Sequence, residues 1–405
     1  MELIQNATLS RQAASAAKNR QALVLLTATL FHLYPSKVSA LIFNGARKQD
    51  SSSESKPQSY LFVKLLLIDI RSSVPSLLAI LNSPEYPSTS ARIAGSYDIV
   101  SSFIGFLVQS LDEGEDNAVT PSAPFPLSPS ELLQLRVDTS QVMSLTIENI
   151  RDRFDASVAG AAGLDTSTRL HSAGPSNPSL AISWQSSEVS MAEDPLTLSQ
   201  LRTLALWLRE DDNDALREEA AGIMDVLLFL YGEKGALDFR SPILIALEGI
   251  STVPEGVEAF LRTEGWEVLV EDLRQLLASP TLDSSHGTDI VRVLLKIVEA
   301  DETGPAKEEW MQVVRLASAT KVSRQWSSFE LAIEVAQLAM EIIIHSPGGA
   351  RKRNQKAVTD LAKWAIDMSR SGIPATTTDR ARAELQDIVQ FLEDLTLGGP
   401  IMNPS

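Results

Sequence analysis

The sequence predicts an all-α fold, an irregular α-solenoid of armadillo-like or HEAT-like helical hairpins, and three observations predict it. Leucine and alanine dominate a chain in which hydrophobic residues make up 44% and aromatics only 6%, a composition suited to helices packed on helices. Amphipathic segments recur at three-and-four spacing with polar joints between them, although no exact repeat is present. No run alternates apolar and polar residues between Asn-Gly or Asp-Gly turns, so sheet is not expected. A closed globular bundle is the alternative architecture for the same helices.

Length and charge bound the rest. The chain has 405 residues, enough for two or three domains or for one elongated array. Its 52 acidic and 35 basic residues leave a formal charge of -17, a field that repels phosphate backbones and argues against nucleic acid as a partner. Cysteine is absent, which removes disulfides, thiolate metal sites and cysteine nucleophiles. The opening MELIQNATLSRQAASAAKNRQ lacks the pattern of a secretory signal. The apolar runs ALVLLTATLF from Ala22 and YLFVKLLLIDI from Tyr60 are shorter than the ~20 residues of a membrane span. A soluble, cytoplasmic protein without a transmembrane segment is expected, with peripheral membrane association left open.

Along the chain, three polar segments interrupt the helical texture: ARKQDSSSESKPQ from Ala46, DEGEDNAVTPSAPFPLSP from Asp112, and Asp165 to Asp194. Their Ser, Pro, Gly and acid content marks loops or insertions. The third is expected to be mobile, with Trp184 as its one large anchor. It divides the chain into an N-terminal helical part over 1–164, a linker over 165–194, a C-terminal helical-repeat part over 195–395 and a tail over 396–405. Helix starts are marked by Ser128-Pro129-Ser130-Glu131, by Asp194-Pro195, and by Ser327 with Glu330, each pairing a capping side chain with a proline or an acidic third residue.

The stretch WLREDDNDALREEAAGIMDVLLFLYG, Trp207 to Gly232, places acidic and amide side chains together between two leucine-rich segments. From Asn213 on, Leu216, Ala220, Ile223, Met224, Leu227, Leu230 and Tyr231 fall on one helical face, so Asn213 or Asp214 reads as a cap. The preceding segment puts Leu198, Leu201, Leu204, Ala205 and Leu208 on a face of its own, and the two form an antiparallel hairpin. An EF-hand counted from Asp212 would need glycine and glutamate where Arg217 and Ile223 stand. Carboxylates at a helix start are favoured by its dipole without any ligand. Further helices are expected in PILIALEGI, GVEAFLR, GWEVLVEDLRQLLAS, TDIVRVLLKIVEA, KEEWMQVVRLAS, SSFELAIEVAQLAMEIIIH, QKAVTDLAKWAIDMSR and ARAELQDIVQFLEDL.

Catalytic sets are scarce. His32, His171, His286 and His345 are scattered singly, none at the i, i+4 spacing of a helical zinc pair. Nucleophile-elbow, phosphate-loop and dinucleotide fingerprints are absent. SVAGAAGL, Ser157 to Leu164, reads as a close backbone approach or a helix end. The basic run RKRNQK from Arg351 fits a nuclear localisation signal, and more commonly the solvated start of a helix. No catalytic, cofactor or metal residue is therefore assigned. The densest constellation is IENIRDRFDAS, where Arg151, Asp152, Arg153 and Asp155 surround Phe154. It reads either as an intrahelical charge network, with Glu148 and Arg151 and with Arg151 and Asp155 as neighbours, over a buried Phe154, or as a recognition surface, because arginine beside an aromatic is enriched where partners bind. Arg151, Asp152, Arg153, Phe154, Asp155 and Trp207 are the candidate partner-binding residues. A third reading makes Asp152, Asp155 or the Asp211 cluster the metal-dependent centre of a helical hydrolase.

Taken in order, LLLIDIRSSVPSLLAILNSPEY, SYDIVSSFIGFLVQSL, SLTIENIRDRFDASVAGAAGL, DPLTLSQLRTLALWLREDDNDALREEAAGIMDVLLFLYG and ALEGI with GWEVL resemble the neurochondrin family. The likeness runs from about Tyr60 to Val270, and from Glu271 on it is one of helical texture only. Phe154 stands where the family pattern leads one to expect tryptophan, and LLLIDIR arrives early, which points to a truncated or abbreviated N-terminal arm. The resemblance implies an armadillo-type helical-repeat protein without enzymatic activity. It also implies an adaptor, since animal members are cytoplasmic, bind receptor tails and signalling proteins, and affect neurite growth and kinase signalling. The expected function is a non-catalytic cytosolic scaffold that binds other proteins through a helical-repeat surface. The alternative is a membrane-associated regulator of receptor or trafficking proteins.

Overall fold

A computed structural model describes residues 2–43, 56–116, 127–158, 190–278, 284–300, 307–319, 326–370 and 379–396. All regular structure among them is helical, and the fold class is the all-α helical-repeat class that the periodicity predicts. The chain forms two compact units, Met1–Ala246 and Leu247–Ser405. The segments 46–55, 117–126 and 165–189, and with them Trp184, His171 and most of SVAGAAGL, lie outside the described residues. The second polar segment begins later than expected, because helix continues through Asp112 to Asp116.

The first unit contains α1 (Glu2–Leu33), α2 (Pro35–Phe43), α3 (Gln58–Ser73), α4 (Tyr86–Asp116), α5 (Pro129–Val158), α6 (Pro195–Glu210), α7 (Asp214–Ala221) and α8 (Met224–Gly232). At its centre is α4, which packs on α1, α3 and α6, so the helices before and after the segment 165–189 meet in one core. A Cβ at Gly95 would lie 3.2 Å from the Val24 Cγ1, and the bare glycine lets α1 approach. Where α1, α2 and α4 converge, Phe31 stacks on Phe43 at a centroid distance of 5.4 Å and Phe103 meets Phe43 edge-on at 5.1 Å. By length and composition alone, Tyr86–Ser110 could cross a membrane, a feature that a search for unbroken apolar runs passes over. Half of that window is buried inside the unit, as befits a central core helix.

Several helix starts are those the sequence marks. Ser128 and Glu131 exchange bonds at the head of α5, the Ser128 backbone N–H donating to Glu131 Oε2 at 2.7 Å and the Glu131 N–H to Ser128 Oγ at 3.4 Å. Asp194 caps α6 by accepting from the Leu196 N–H at 3.0 Å, with Pro195 at the first helical position. Asn213 caps α7 by accepting from the Leu216 N–H at 3.3 Å. The continuous helix expected from Asn213 to Tyr231 is instead two helices, separated at Gly222 and Ile223. There the chain tightens to bonds three residues back, the Gly222 N–H donating to the Glu219 carbonyl at 3.0 Å and the Ile223 N–H to the Ala220 carbonyl at 3.1 Å, and the Gly222 carbonyl accepts from the distant Arg151 guanidinium.

Helix α9 (Arg240–Ile250) contains the division between the units. The second unit continues with α10 (Pro254–Arg262), α11 (Gly265–Ala278), α12 (Ser284–Ala300), α13 (Met311–Ala319), α14 (Trp326–His345), α15 (Gly348–Arg353), α16 (Gln355–Arg370) and α17 (Asp379–Thr396). Here α14 packs on α12, α13 and α17, while α16 packs on α13 and α17. Trp266 and Trp310, both nearly inaccessible, stack with centroids 4.3 Å apart. Gly265 opens α11 directly against the Phe260 ring, which an added Cβ would approach to 2.5 Å. Helix α14 starts at Trp326, one residue before the expected cap, and the Ser327 side chain lies outside what is described. The basic run is divided, Arg351 to Arg353 closing the short helix α15 and Gln355 and Lys356 opening α16, and Arg353 is bound bidentately by Glu308 at 2.7 Å.

Candidate functional site

The charged motif near the end of α5 is set by the helix's own periodicity. Leu135, Val142, Met143, Ile147 and Ile150 form the inward stripe, and the next step of three lands on Arg153, which is buried. Phe154 falls beside that stripe and is half-buried, meeting the ring of Phe229 edge-on at 5.3 Å and 63°. The expected arrangement is thus inverted, with the arginine inside and the phenylalanine at the rim. Arg153 lies against the Tyr86 hydroxyl, which donates a short hydrogen bond to the buried Asp194. Burial first, and Asp194 second, raise the Tyr86 phenol well above its ordinary value.

Arg151 reaches between helices. Its two terminal nitrogens donate to the two Asp225 oxygens at 2.9 Å each, and one of them also donates to the Gly222 carbonyl. The intrahelical partners expected for it, Glu148 and Asp155, give way to a carboxylate on α8, because a bidentate pair with fixed planar geometry surpasses an i, i+4 contact across solvent. Asp152 is exposed and Asp155 half-buried. Two turns earlier on α5, Ser144 donates to Glu219 at 2.8 Å, and two turns before that the Arg136 Nε donates to Asp211 at 2.5 Å. These contacts form a polar ladder along α5, each rung joining residues 74 or 75 positions apart.

The ladder answers what the acidic stretch after Trp207 does. Asp211 is buried and faces Arg136 and Ser140. Asp212 is almost wholly exposed, and with Asp214 it pairs with Arg217 at 3.5 and 3.2 Å. Arg217 is itself buried and donates to the Leu208 carbonyl at 3.3 Å. Asp211 turns to Arg136 while Asp212 and Asp214 share Arg217, and among the described residues no three His, Asp or Glu groups converge as a metal would require. Trp207, offered above as a partner-binding residue, is 8% exposed. It belongs to the inward face of α6 and presents no contact surface.

Sequence reasoning passed over a second surface. On α3, Tyr60, Val63, Leu66, Leu67 and Ile70 are buried, yet Leu61, Leu65 and Ile68 on the opposite face are exposed over successive turns. Helix α5 lies alongside, tied by Lys64 to Asp138 at 3.0 Å and by Arg71 to Gln141 at 2.8 Å, and it adds exposed Leu133 and Val137. The bond from Asp138 raises the Lys64 pKa above its ordinary value. The available signal was that YLFVKLLLIDI is apolar on nearly every side, more than one buried face requires. In the second unit, a cleft of about 310 Å³ is lined by Thr288, Arg292, Glu330, Glu334 and Glu384 among others.

Comparison with solved structures finds a distant likeness to the crystal structure of an engineered protein, with a TM-score of 0.37 and 14% identity over 92% of this chain and 95% of the other, too low to carry an argument. An uncharacterized protein of Schizosaccharomyces pombe is 20% identical over 207 residues, 50% of this chain. The chain spans about a third of that relative, 31% of its length. The model of the family described as Neurochondrin matches residues 7–367. That match extends on both sides of the stretch Tyr60 to Val270 that carries the visible motifs. Matched across most of its length, from α1 into α16, the chain belongs to the neurochondrin family.

Proposed function

We propose that the chain is a non-catalytic adaptor that acts in the cytoplasm and binds other proteins, receptor tails or signalling proteins among them, through the helices of its first unit. The observation that carries this reading is the outward stripe of Leu61, Leu65 and Ile68 beside Leu133 and Val137. Apolar side chains on successive turns of two adjoining helices are costly to leave in water, at roughly 25 cal/mol per Å², and a contiguous exposed patch of this kind marks an interaction surface. Family membership and the helical-repeat fold support the same reading. The buried and paired carboxylates of the Asp211 joint support it too, because they leave the hydrolase alternative without a set of convergent groups.

Leu65→Asp tests it. The side chain is 64% exposed, so thermal unfolding should change by no more than about 0.5 kcal/mol, the usual range for surface substitutions. In extract, chemical cross-links from Lys56 and Lys64 to a reproducible partner should disappear. Unaltered cross-linking in the variant would overturn the assignment of this face.

A further inference from the structure

On α1, Val24, Ala28 and Phe31 face α4, where Val24 and Ala28 close over Gly95. The opposite side carries Leu23, Leu26, Leu30 and Leu33, all exposed. Their spacing of three, four and three residues is the a and d pattern of a coiled-coil seam, about 15 Å long at 1.5 Å per residue. Exposed Tyr34 and Leu41 continue the apolar surface into α2. The charge of this region is opposite to that of the protein. Between Glu2 and Asp50 there is no acidic residue, while Arg11, Lys18, Arg20, Lys37, Arg47 and Lys48 are basic, in a chain whose net charge is -17. Lys18 and Arg20 are exposed on the turn before the seam and Lys37 is exposed on α2 beyond its end, while Ala22, Thr27 and Thr29, which flank the leucines, carry no charge.

We propose that this seam docks an acidic amphipathic helix of a partner protein, with leucine-like residues at its own a and d positions and Glu or Asp most needed where it reaches past the seam toward Lys18, Arg20 and Lys37. The seam selects a helix, because a strict a and d stripe is narrower than the apolar arc with which a helix lies on a bilayer. A bilayer plane would also bring the acidic remainder of the chain against anionic headgroups. The uniform positive charge selects an acidic partner over a second copy, since pairing α1 with itself would oppose basic residues to basic residues. The inference rests on the protein-binding reading but concerns a different face from the α3 and α5 stripe.

The test uses the full chain and two helical three-heptad peptides with leucine at a and d, one carrying Glu and the other Lys at e and g. By fluorescence anisotropy the Glu peptide should bind at least about tenfold more tightly than the Lys peptide and weaken as salt is raised. Leu26→Glu, at a side chain 58% exposed, should weaken it by at least about tenfold with an unaltered melting temperature, whereas Leu65→Asp should leave it unchanged. Equal binding of both peptides, absence of binding, or loss with Leu65→Asp but not Leu26→Glu would overturn the proposal without touching the α3 surface. A wild-type dimer dissociated by Leu26→Glu in sedimentation equilibrium would assign the seam to a second copy instead. Flotation with phosphatidylserine vesicles that Leu26→Glu abolishes would assign it to lipid.

Discussion

The two units distribute polar and apolar side chains in opposite ways. Among the described residues, every exposed large hydrophobic side chain lies between Leu23 and Phe229, in the first unit. The buried polar and charged residues concentrate there as well, and only Ser251 and Ser346 represent them in the second unit. The second unit instead holds its helices with an apolar interior around Trp266 and Trp310. A purely apolar interface tolerates sliding between helices, whereas a buried hydrogen bond or charge pair has one register at which it is satisfied. The first unit thus fixes its helix registers largely with polar contacts inside and leaves apolar area outside, whereas the second unit relies mainly on apolar packing, with a few ties such as His286 to Asp272 at 3.0 Å.

The sharpest way to break this contrast is at the tryptophan pair. Trp266→Ala should cost about 3–5 kcal/mol, the range for truncating a large buried aromatic, and in calorimetry the loss should fall on the second unit. In the first unit the corresponding weak point is polar. Asp194→Ala removes the cap of α6 and the acceptor of the buried Tyr86 hydroxyl, and should cost about 1–3 kcal/mol for the unsatisfied group and about 1 kcal/mol for the cap. Asp194→Asn, which keeps an acceptor, should recover part of that loss in chemical denaturation. If both Asp194 variants were neutral, the polar contacts would not be what holds the first unit in register.

Smaller effects sharpen the comparison. Arg151→Ala should lower stability by about 1 kcal/mol or less, since the pair with Asp225 is partly exposed, and urea titration measures it. Glu334 supplies a pH test in the second unit. Burial, the largest influence, raises its pKa, with Glu384 and Glu330 adding to the rise and Thr288 and Arg292 opposing it. The folded state therefore holds this proton more tightly than the unfolded state, and the carboxyl's contribution to stability is lost as pH rises from the ordinary glutamate value through the folded one. Glu334→Gln should match the wild type in melting temperature below that window and exceed it above. Glu264 is at φ 59°, in the left-handed region, and Glu264→Gly should stabilise the protein by at most about 1 kcal/mol in thermal unfolding.

Much of the architecture is legible locally. Asp194-Pro195, Ser128 with Glu131, and Asn213 identify helix starts because a cap is satisfied within three residues of itself. Helix α3 was legible as a helix but not as a surface, because Leu65 and Leu66 differ in exposure only through where α4 and α5 lie. The partner of Arg151 was illegible for a related reason. Glu148 and Asp155 are the local candidates, and Asp225 becomes a neighbour only once α8 has docked. Arg153 could have been foreseen on the inward stripe, since it follows Ile147 and Ile150 at intervals of three. A charged residue at a core position reads as surface by its chemistry, and Trp207 reads as partner-binding by its type because it falls at the edge of the leucine face of α6.

The polar ladder along α5 also carries a consequence for the order of events during synthesis. Each rung joins residues 74 or 75 positions apart, so α5 leaves the ribosome long before Asp211, Glu219 and Asp225 exist. At about 5–20 residues per second, Arg136 waits roughly 4–15 s for its partner. During that interval α5 can already pack on α3 and, late in it, on α6, but its polar side chains still lack their partners. The register of α5 against its later neighbours is therefore set last, as Asp211, Glu219 and Asp225 are added in turn.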